Sequence, residues 1–458
     1  MHFLDRKDRP YLHLPRGRVG ETLSVPVSSM RGDMRSSMMT FVPTQSVRTA
    51  LCLLTLTVVG CTSAPENPDA VVFSGGRLIT GDGAVIEDAV VVVDGDRIIA
   101  AGSRSDTEAP AGATMVDMSG KTIMPTLVNA HFHLSSDRQE RVDQLQHMAY
   151  YGSGSALSLG LDVGDLGLTM RSEAIPDGAR SQSAGRGITS PEPGRSEVPY
   201  WVTTEDEARA AVRELAAQNV DFVKIWVDSR GGQYDRLSPE LYGAVIDEAH
   251  ANGQRVTAHV FTLEDGKGLL RAGIDAFAHG IRDMDVDDEL VALWLERPEV
   301  VLVPNLPGPG VATDLSWLSG TIPAETLEEM QAGQVDRPAA QESFGIQARN
   351  LARLSAEGVT IAFGTDGGSP WAAHQELEDM VRTGMSPADV IVAATSASAA
   401  VMKMPDVGTI APGMVADLLI LDANPIDDIT NTRRISAVYL RGQAIDRDAL
   451  GARLRGGE

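Results

Sequence analysis

The hydrophobic pattern of this chain changes period several times, and in the central part short apolar runs alternate with amphipathic stretches. After Thr204, the stretch EDEARAAVRELAAQN places Ala208, Ala211, Val212 and Leu215 on one helical face. The next run, DFVKIWV, is short and rich in β-branched and aromatic residues. The pattern therefore predicts a helix followed by a strand.

The same succession recurs along the chain. Ser238 and Pro239 start another helix and Gly253 ends it, as these residue types do at helix termini. Eight runs are strand candidates: TIMPTLVNA, GSALSLG, GARSQSAG, DFVKIWV, RVTAHV, DAFAHG, VVLVPN and VTIAFGT. Strands joined by helices form parallel sheets, and eight such units predict an α/β fold, the (β/α)8 TIM barrel, over residues 126–404.

Both flanks of this region show a β-rich pattern without helices. Residues 70–125 contain AVVFSGGRLI, AVVVVDGDRIIAAG and TMVDMSGKTIM, and residues 405–458 add ADLLILDAN and ISAVYLRGQAI. The sequences DGD at 94–96 and SGK at 119–121 are hairpin signals. We expect the two pieces to form one small β-sandwich domain, built from both chain ends, with residues 61–69 as a linker before it.

The first sixty residues differ in charge from the rest. They hold eight Lys/Arg and four Asp/Glu, although the formal net charge of the 458 residues is −24. The apolar stretch from Thr49 to Val59 follows Arg48, ends at Gly60 and Cys61, and is too short to span a bilayer. Its end resembles a bacterial lipobox, which implies acylation of the cysteine. We expect residues 1–60 to be an extension with a lipoprotein signal peptide, and export to the periplasmic face of a membrane through a lipid anchor at Cys61.

The acidic charge limits the classes of binding partner, and the cysteine count limits disulfides and metal ligands. A negative protein is a poor match for phosphate backbones, so nucleic acid is excluded and a small-molecule substrate is favoured. The other cysteine, Cys52, lies within the signal. A disulfide and thiolate ligation are therefore excluded in the mature chain, and a metal ion would be bound by nitrogen and oxygen.

Six residues at or just after the ends of apolar runs are candidates for a two-metal centre. His131 and His133 are two positions apart, so in a strand both imidazoles point the same way. His259 and His279 are separated by about one strand–helix repeat, and Asp366 precedes a Gly-Gly turn that would expose its carboxylate. An isolated histidine is usually structural and an Asp at a strand end often caps a helix, but their recurrence at strand ends favours metal ligation.

Lys224 is the most informative of the six. Alternation in DFVKIWV places it between Phe222 and Trp226, where an unpaired ammonium would be costly. A lysine whose amine reaches solvent from the strand end is the simpler explanation. The alternative is that the amine loses its proton and adds carbon dioxide, which gives a bidentate N6-carboxylysine able to bridge two cations.

The order His-x-His, Lys, His, His, Asp on successive strands resembles the amidohydrolase superfamily, in particular its binuclear, carboxylated-lysine members of the imidazolonepropionase-like and prolidase-like types. The resemblance extends from Val71 to Ile445 and includes the segment from ELEDMVRTG to VADLLILD. It implies that His131 and His133 bind the more buried of two divalent metal ions and that His259 and His279 bind the other. Zn²⁺ is the expected metal, because imidazole and carboxylate ligands suit it.

By the same resemblance, carboxylated Lys224 would bridge both ions, and Asp366 would be a ligand of the first and the catalytic proton carrier. The implied reaction is hydrolysis of a carbon–nitrogen bond, amide or peptide-like, by a metal-bridging hydroxide. Arg282, Tyr234 and His374 are the candidate substrate contacts, each with a structural alternative.

The sequence also departs from familiar members. Thr126 stands where many relatives have glycine, and Phe261 stands where dipeptidase-like relatives often carry a second histidine. The alternatives left open are a mononuclear deaminase, for which Glu264 is offset and Lys224 has no role, a lactonase or esterase, and a ligand-binding lipoprotein without catalysis.

Overall fold

A computed structural model describes residues 66–456, which lie after the predicted signal segment. Within these residues the strands are β1 Val71–Ile79, β2 Val85–Asp94, β3 Arg97–Ser103, β4 Thr114–Asp117, β5 Thr122–Pro125, β6 Leu127–Phe132, β7 Ser153–Ser158, β8 Arg180–Ser183, β9 Ile188–Thr189, β10 Tyr200–Trp201, β11 Val223–Val227, β12 Val256–Val260, β13 Ala276–Ala278, β14 Val301–Val303, β15 Thr360–Ile361, β16 Leu418–Leu421, β17 Ile435–Leu440 and β18 Gln443–Ala444.

The α-helices of the same residues are α1 Arg138–Tyr150, α2 Leu166–Thr169, α3 Glu205–Ala217, α4 Pro239–Ala251, α5 Leu263–Ala272, α6 Asp288–Leu295, α7 Ala324–Ala332, α8 Pro338–Ala356, α9 Ala372–Arg382, α10 Pro387–Val392, α11 Ser398–Val401 and α12 Arg447–Gly456. Short 3-10 helices cover Met170–Ser172, Ser316–Gly320 and Ile429–Arg433, and a π-helical turn covers Ala393–Ala397. None of the helices in this part of the chain is long and apolar enough to cross a membrane.

Local signals explain the best-defined helices. Thr204 caps α3 in a reciprocal capping box with Glu207, and the four predicted apolar positions of that helix are buried. Ser238 caps α4, Pro239 occupies its first turn and Gly253 follows it with φ of +72°. The predictions for both helices are confirmed.

The predicted central strands lie in two parallel sheets, except that the first, TIMPTLVNA, is divided at Thr126: Thr122–Pro125 form β5, which pairs with β16 in another sheet, and β6 begins at Leu127. One sheet has the order β10-β9-β11-β12-β13-β14-β15, and the other has the order β6-β7-β8. The third predicted strand is interrupted: β8 ends at Ser183, Gly185 has φ of +60°, and the chain resumes as β9 beside β11. Helices follow most of these strands, so the region is a parallel α/β structure.

The strands from the two chain ends form one mixed eight-stranded sheet, in which β5 pairs with β16 in antiparallel register. Its arrangement as a sandwich is not confirmed. The predicted hairpin at 94–96 is confirmed, because β2 and β3 pair there in antiparallel fashion. The hairpin predicted at 119–121 is wrong: β4 and β5 both pair in parallel with β1, end to end along one edge, and the turn only shifts the chain from one to the other.

The core is divided between the two faces of the parallel strands. Val223, Ile225 and Val227 of β11 belong to a large cluster with the buried faces of α3 and α4. Phe222, which precedes β11, belongs to a second cluster that includes Val128 of β6, Ala276 of β13 and Ala362 after β15. The opposite ends of these strands are therefore left for polar side chains.

Candidate metal centre

Five of the six predicted residues lie at or just after the carboxyl ends of parallel strands, with His133 directly after β6, whereas Lys224 is the second residue of β11. His131 lies in β6, Lys224 in β11 and His259 in β12, while His279 and Asp366 come after β13 and β15. The strand register places His259 beside Trp226 on one side and Ala278 on the other. Because all these strands run in the same direction, their carboxyl ends meet, which is where barrel enzymes place their active sites.

The closest group consists of His131, His279 and Asp366, whose donor atoms all lie within 4.8 Å of one another. Asp366 Oδ1 is 3.0 Å from His131 Nε2 and 3.1 Å from His133 Nε2. Asp366 Oδ2 is 3.6 Å from His279 Nε2. The His259 and His279 rings are 4.5 Å apart between centroids, so all four imidazoles form one continuous cluster.

Backbone strain accompanies this cluster. His279, Asn305 and Asp366 have φ values of 89°, 45° and 57°, a region that side chains other than glycine seldom adopt. Such conformations cost about 1–3 kcal/mol each and concentrate at functional sites. Asp366 precedes Gly367 and Gly368, both of positive φ, and its side chain is 41% exposed, as the predicted turn required.

Lys224 lies at the centre of the parallel sheet and has no access to solvent. Its Nζ makes no hydrogen bond within residues 66–456 and lies 5.4 Å from the Trp226 ring centroid. Gly160 closes this space, because a Cβ there would lie 2.7 Å from the indole and 2.8 Å from Lys224 Cγ. Burial, partly offset by the charge of Asp366, lowers the pKa of Lys224 from 10.5 to about 7.

Asn305 orients His131. Its Oδ1 lies 2.7 Å from His131 Nδ1, and both side chains are buried. If Nδ1–H donates to this oxygen, Nε2 carries the lone pair and faces Asp366 at 3.0 Å, and it has no hydrogen-bond partner within the described chain. Two electron pairs facing each other at this distance repel unless a cation lies close to both.

A second buried network holds His259. Its Nε2 is 3.0 Å from Asp228 Oδ2, and Arg230 donates to the same carboxylate at 2.8 Å and to Glu192 at 2.9 Å. Desolvation alone would raise the pKa of Asp228, but the hydrogen bonds from His259 and from the Arg230 backbone lower it well below its usual range. Asp228 is therefore an ionised acceptor that fixes the orientation of the His259 ring.

The electrostatics suit metal binding. Burial lowers the pKa of His131 to about 4 and of His259 to about 3, and it lowers that of His279 well below its usual value. These imidazoles are thus neutral at physiological pH, the form that binds metals. Burial opposes ionisation of Asp366, yet the adjacent His131 and His133 bring its pKa far below the usual range, so the carboxylate is charged. Neutral nitrogen and anionic oxygen donors fit divalent transition metals such as zinc.

The sequence profile of the amidohydrolase family matches residues 122–445, which is most of the chain. The chain belongs to the amidohydrolase family. An uncharacterized protein of Mycobacterium tuberculosis is 31% identical to this amidohydrolase over 310 residues, which cover 64% of this chain and 77% of the relative. Imidazolonepropionase of Streptomyces griseus is 27% identical over 398 residues, which cover 79% and 93%.

Among solved structures, a protein of Bifidobacterium longum described provisionally as a prolidase is 27% identical, with a TM-score of 0.68 over 84% of this chain and 99% of its own. These similarities establish a TIM-barrel-like α/β fold and a hydrolase that acts on carbon–nitrogen bonds. The predicted resemblance to imidazolonepropionase-like and prolidase-like amidohydrolases is confirmed.

The three predicted substrate contacts of this amidohydrolase lie in different environments. Arg282 follows His279 by three residues, and its backbone N–H donates to Phe261 O, two residues after His259, at 2.9 Å. Its positive charge contributes to the lowered pKa values of His259, His279 and Lys224. Tyr234 lies in the loop after β11, where its hydroxyl donates to Pro193 O at 3.2 Å. His374 is buried on α9, with its ring against Tyr151 and Trp317, a position that suits packing better than contact with a substrate.

Sequence reasoning missed the roles of Asp228 and Asn305. Each follows its strand by one or two residues, Asp228 after β11 and Asn305 after β14. A polar residue directly after a strand that bears a candidate ligand is a signal that could have identified Asp228. Asn305 follows a strand without any candidate ligand, so its pairing with His131 depends on the tertiary structure.

Proposed function

We propose that this amidohydrolase is a metal-dependent enzyme that cleaves an amide bond in a dipeptide-like or N-acyl amino acid substrate. The observation that supports this most directly is the buried Lys224 amine, which has no hydrogen-bond partner in residues 66–456 and interacts electrostatically with His131, His259 and Asp366. A protein gains nothing in stability from such a group. If the amine lost a proton and added carbon dioxide, the resulting carbamate would supply two oxygen ligands for metal ions and would complete the donor set.

His131, His133 and Asp366 would hold one divalent ion, and His259 and His279 would hold a second. Zinc fits these nitrogen and oxygen donors. N6-carboxylated Lys224 would bridge the two. When bound, the ions would supply a hydroxide nucleophile near neutral pH and polarise the substrate carbonyl.

The chain's own residues would orient the reactants and move the proton. Asp366 Oδ1 contacts His131 and His133, so Oδ2 is the atom that is better placed to accept a proton and return it to the leaving nitrogen. Arg282, whose backbone is hydrogen-bonded to Phe261 two residues after His259, would bind a substrate carboxylate. Its fixed charge would orient the scissile amide towards the centre.

We also propose that the two parallel sheets close into a (β/α)8 barrel. Backbone hydrogen bonds from Ala130 N to Phe363 O at 2.8 Å and from Asp366 N to His131 O at 2.9 Å connect β6 with the segment after β15. At the other junction, Asp221 N donates to Ser183 O at 3.0 Å. The lipid anchor at Cys61, the periplasmic location and the boundaries at residues 125 and 405 remain parts of the proposal, and the signal segment lies outside the described residues.

A single ion held by His131, His279 and Asp366 is the competing arrangement. It is favoured by the short distances within that group and by the engagement of His259 with Asp228. A mononuclear deaminase would use such a site. Metal stoichiometry separates the two arrangements.

The test compares wild type with Lys224→Ala, each purified with zinc and bicarbonate. We expect two equivalents of metal in the wild type and at most one in the variant, measured by elemental mass spectrometry. Lys121→Ala is the matched control, because Lys121 lies in the mixed sheet and pairs with Asp422 there. Isotopically labelled bicarbonate should give a carbamate signal by NMR in the wild type and in Lys121→Ala, but not in Lys224→Ala.

One equivalent of metal in the wild type, unchanged by Lys224→Ala, would refute the binuclear centre. The substrate class is tested by incubating the zinc-loaded protein with N-acyl amino acids, dipeptides and lactones. We expect amide hydrolysis that depends on metal. Turnover of lactones alone would refute the assignment to an amide substrate.

A further inference from the structure

A cavity of about 450 Å³ lies beside the metal centre. It is bordered by the loop after β14, by the loop after β15 and by α9. Two of its walls are direct neighbours of the centre in sequence: Leu306 follows Asn305, which orients His131, and Thr365 precedes Asp366. The volume is within the range of small-molecule sites, so part of a substrate bound at the centre can extend into it.

The charged side chains of the cavity do not balance. Four are acidic and three are basic, namely Asp314, Glu376, Glu378, Asp379, Arg337, Arg382 and Arg433. Arg382 and Arg433 pair with Glu378, and Arg382 also lies 3.4 Å from Asp379. Asp314 and Arg337 are exposed to solvent. The acidic group in the interior of the cavity that has no basic partner within residues 66–456 is Glu376, and a cation beside it would favour its ionised form.

Glu376 projects from the inner face of α9 and is 6% exposed. Both carboxyl oxygens accept from the backbone N–H of Leu306, at 3.0 and 3.1 Å, and no ion pair to this residue is present within residues 66–456. Burial raises the pKa of Glu376 well above its usual value, and Asp379 and Asp366 add to the effect. A buried carboxyl group that faces a cavity and has one backbone donor can accept further hydrogen bonds from a ligand.

We propose that this cavity binds a cationic group of the substrate, a primary ammonium or a guanidinium, and that Glu376 recognises it. This rests on the proposed amide hydrolysis and narrows its substrate class to amides that carry a basic side chain. A cation there would compensate the one uncompensated acidic group of the cavity, and a charge-assisted hydrogen bond to Glu376 would be stronger than one between neutral partners. Because Leu306 and Thr365 line the cavity and directly adjoin Asn305 and Asp366, one substrate molecule could occupy the metal centre and the cavity together.

The rival role of Glu376 is purely structural, since it anchors the backbone next to Asn305. Glu376→Gln separates the two roles, because the amide oxygen can still accept from Leu306 N–H, whereas the side chain can no longer ionise when a cation binds beside it. Asp275→Asn is the matched control. Asp275 also accepts a backbone N–H, that of Val256 at 2.8 Å, but it precedes β13 and so lies at the opposite end of the strands.

The experiment compares Nα-acetyl-lysine with Nα-acetyl-norleucine, which has an apolar side chain of similar length. It also compares matched dipeptides in which lysine or norleucine stands on the acyl side or on the amine side of the amide. Wild type should prefer a lysine substrate over its norleucine partner by roughly tenfold or more in kcat/KM, as expected for a hydrogen bond to a charged group. Glu376→Gln should remove this preference, mainly through KM, and leave norleucine substrates little affected. Asp275→Asn should keep the wild-type preference.

Equilibrium binding of the same ligands by calorimetry is measured in parallel. If no amide is hydrolysed but the lysine ligands still bind more tightly to wild type than to Glu376→Gln, the proposed function fails and the cation site stands. If wild type does not distinguish lysine from norleucine in hydrolysis or binding, the cation site is refuted. Equal loss for both ligand types in Glu376→Gln would also refute it and would assign Glu376 a structural role.

Discussion

Replacement of Lys224 by methionine tests the environment of the buried amine without reference to catalysis. Methionine has a similar length and no charge, so Lys224→Met keeps the volume next to Gly160 and Trp226. In the metal-free protein the folded-state pKa of Lys224 is about 7, against 10.5 for an exposed lysine. The unfolded chain therefore binds more protons than the folded chain between these two values, and stability rises with pH across that interval.

The magnitude follows from the size of the pKa shift. At 1.36 kcal/mol per pH unit, the buried amine destabilises the fold by roughly 5 kcal/mol below pH 7 and by roughly 3 kcal/mol near pH 8. The penalty disappears above the pKa of the unfolded state. Lys224→Met should thus be more stable than wild type by these amounts, with a difference that shrinks as the pH rises.

The assay is urea unfolding of metal-stripped protein in bicarbonate-free buffer at several pH values from about 6 to about 11. Ionisable groups that do not interact with Lys224 contribute equally to both proteins. Lys224 also lowers the pKa values of His131 and His259, which lie at about 4 and about 3 in the wild type, so the comparison is read above pH 7, where these imidazoles are neutral. Lys121→Met controls for the loss of a lysine charge, since Lys121 is partly exposed and paired with Asp422. A difference between wild type and Lys224→Met that does not change with pH would refute an unpaired amine in an apolar environment.

Three further substitutions test the surroundings of the centre. Asn305→Ala removes the hydrogen-bond acceptor for His131 and should weaken metal affinity by about 10- to 100-fold in chelator competition. Asn305→Asp keeps the acceptor, and equal metal affinities in the two variants would contradict the orienting role of Asn305. Arg141→Ala leaves the fully buried Asp162 without its cation and should cost about 3–5 kcal/mol in urea unfolding, and a much smaller loss would argue against a buried ion pair. Gly364→Ala would place a Cβ 2.7 Å from His131 Cβ, so we expect about 1–3 kcal/mol of destabilisation with weaker metal binding; a silent variant would contradict this packing.

The elements that could be predicted from sequence are those with strong local signals. The capping box of α3 and its four apolar positions are all encoded within one helix, so no tertiary information is needed. The run DFVKIWV likewise contains its own alternation, and the structure places Val223, Ile225 and Val227 against helices and Phe222 in the opposite cluster. Strand ends located in this way were enough to bring the six site residues together.

Other features depend on contacts between distant segments. The third predicted strand is rich in Ser, Gln and Arg, so its sequence does not show that it breaks at Gly185 and continues as β9. The turn at 119–121 has a hairpin composition, yet the pairing of β4 and β5 is decided by their shared neighbour β1. The partners Asp228 of His259 and Asn305 of His131 are set by the positions of neighbouring strands, which a single sequence does not specify.

The pairing of β5 with β16 has a consequence for biosynthesis. Met124 lies opposite Leu419, so the edge of β5 has no partner until nearly the whole chain has been made. During synthesis this apolar edge is open to pairing with another nascent chain, a hazard that grows with the sequence separation of the contact. Truncation shortly before β16 should therefore produce an aggregating species rather than a smaller enzyme, and a chaperone that covers strand edges should improve the yield of the full-length protein.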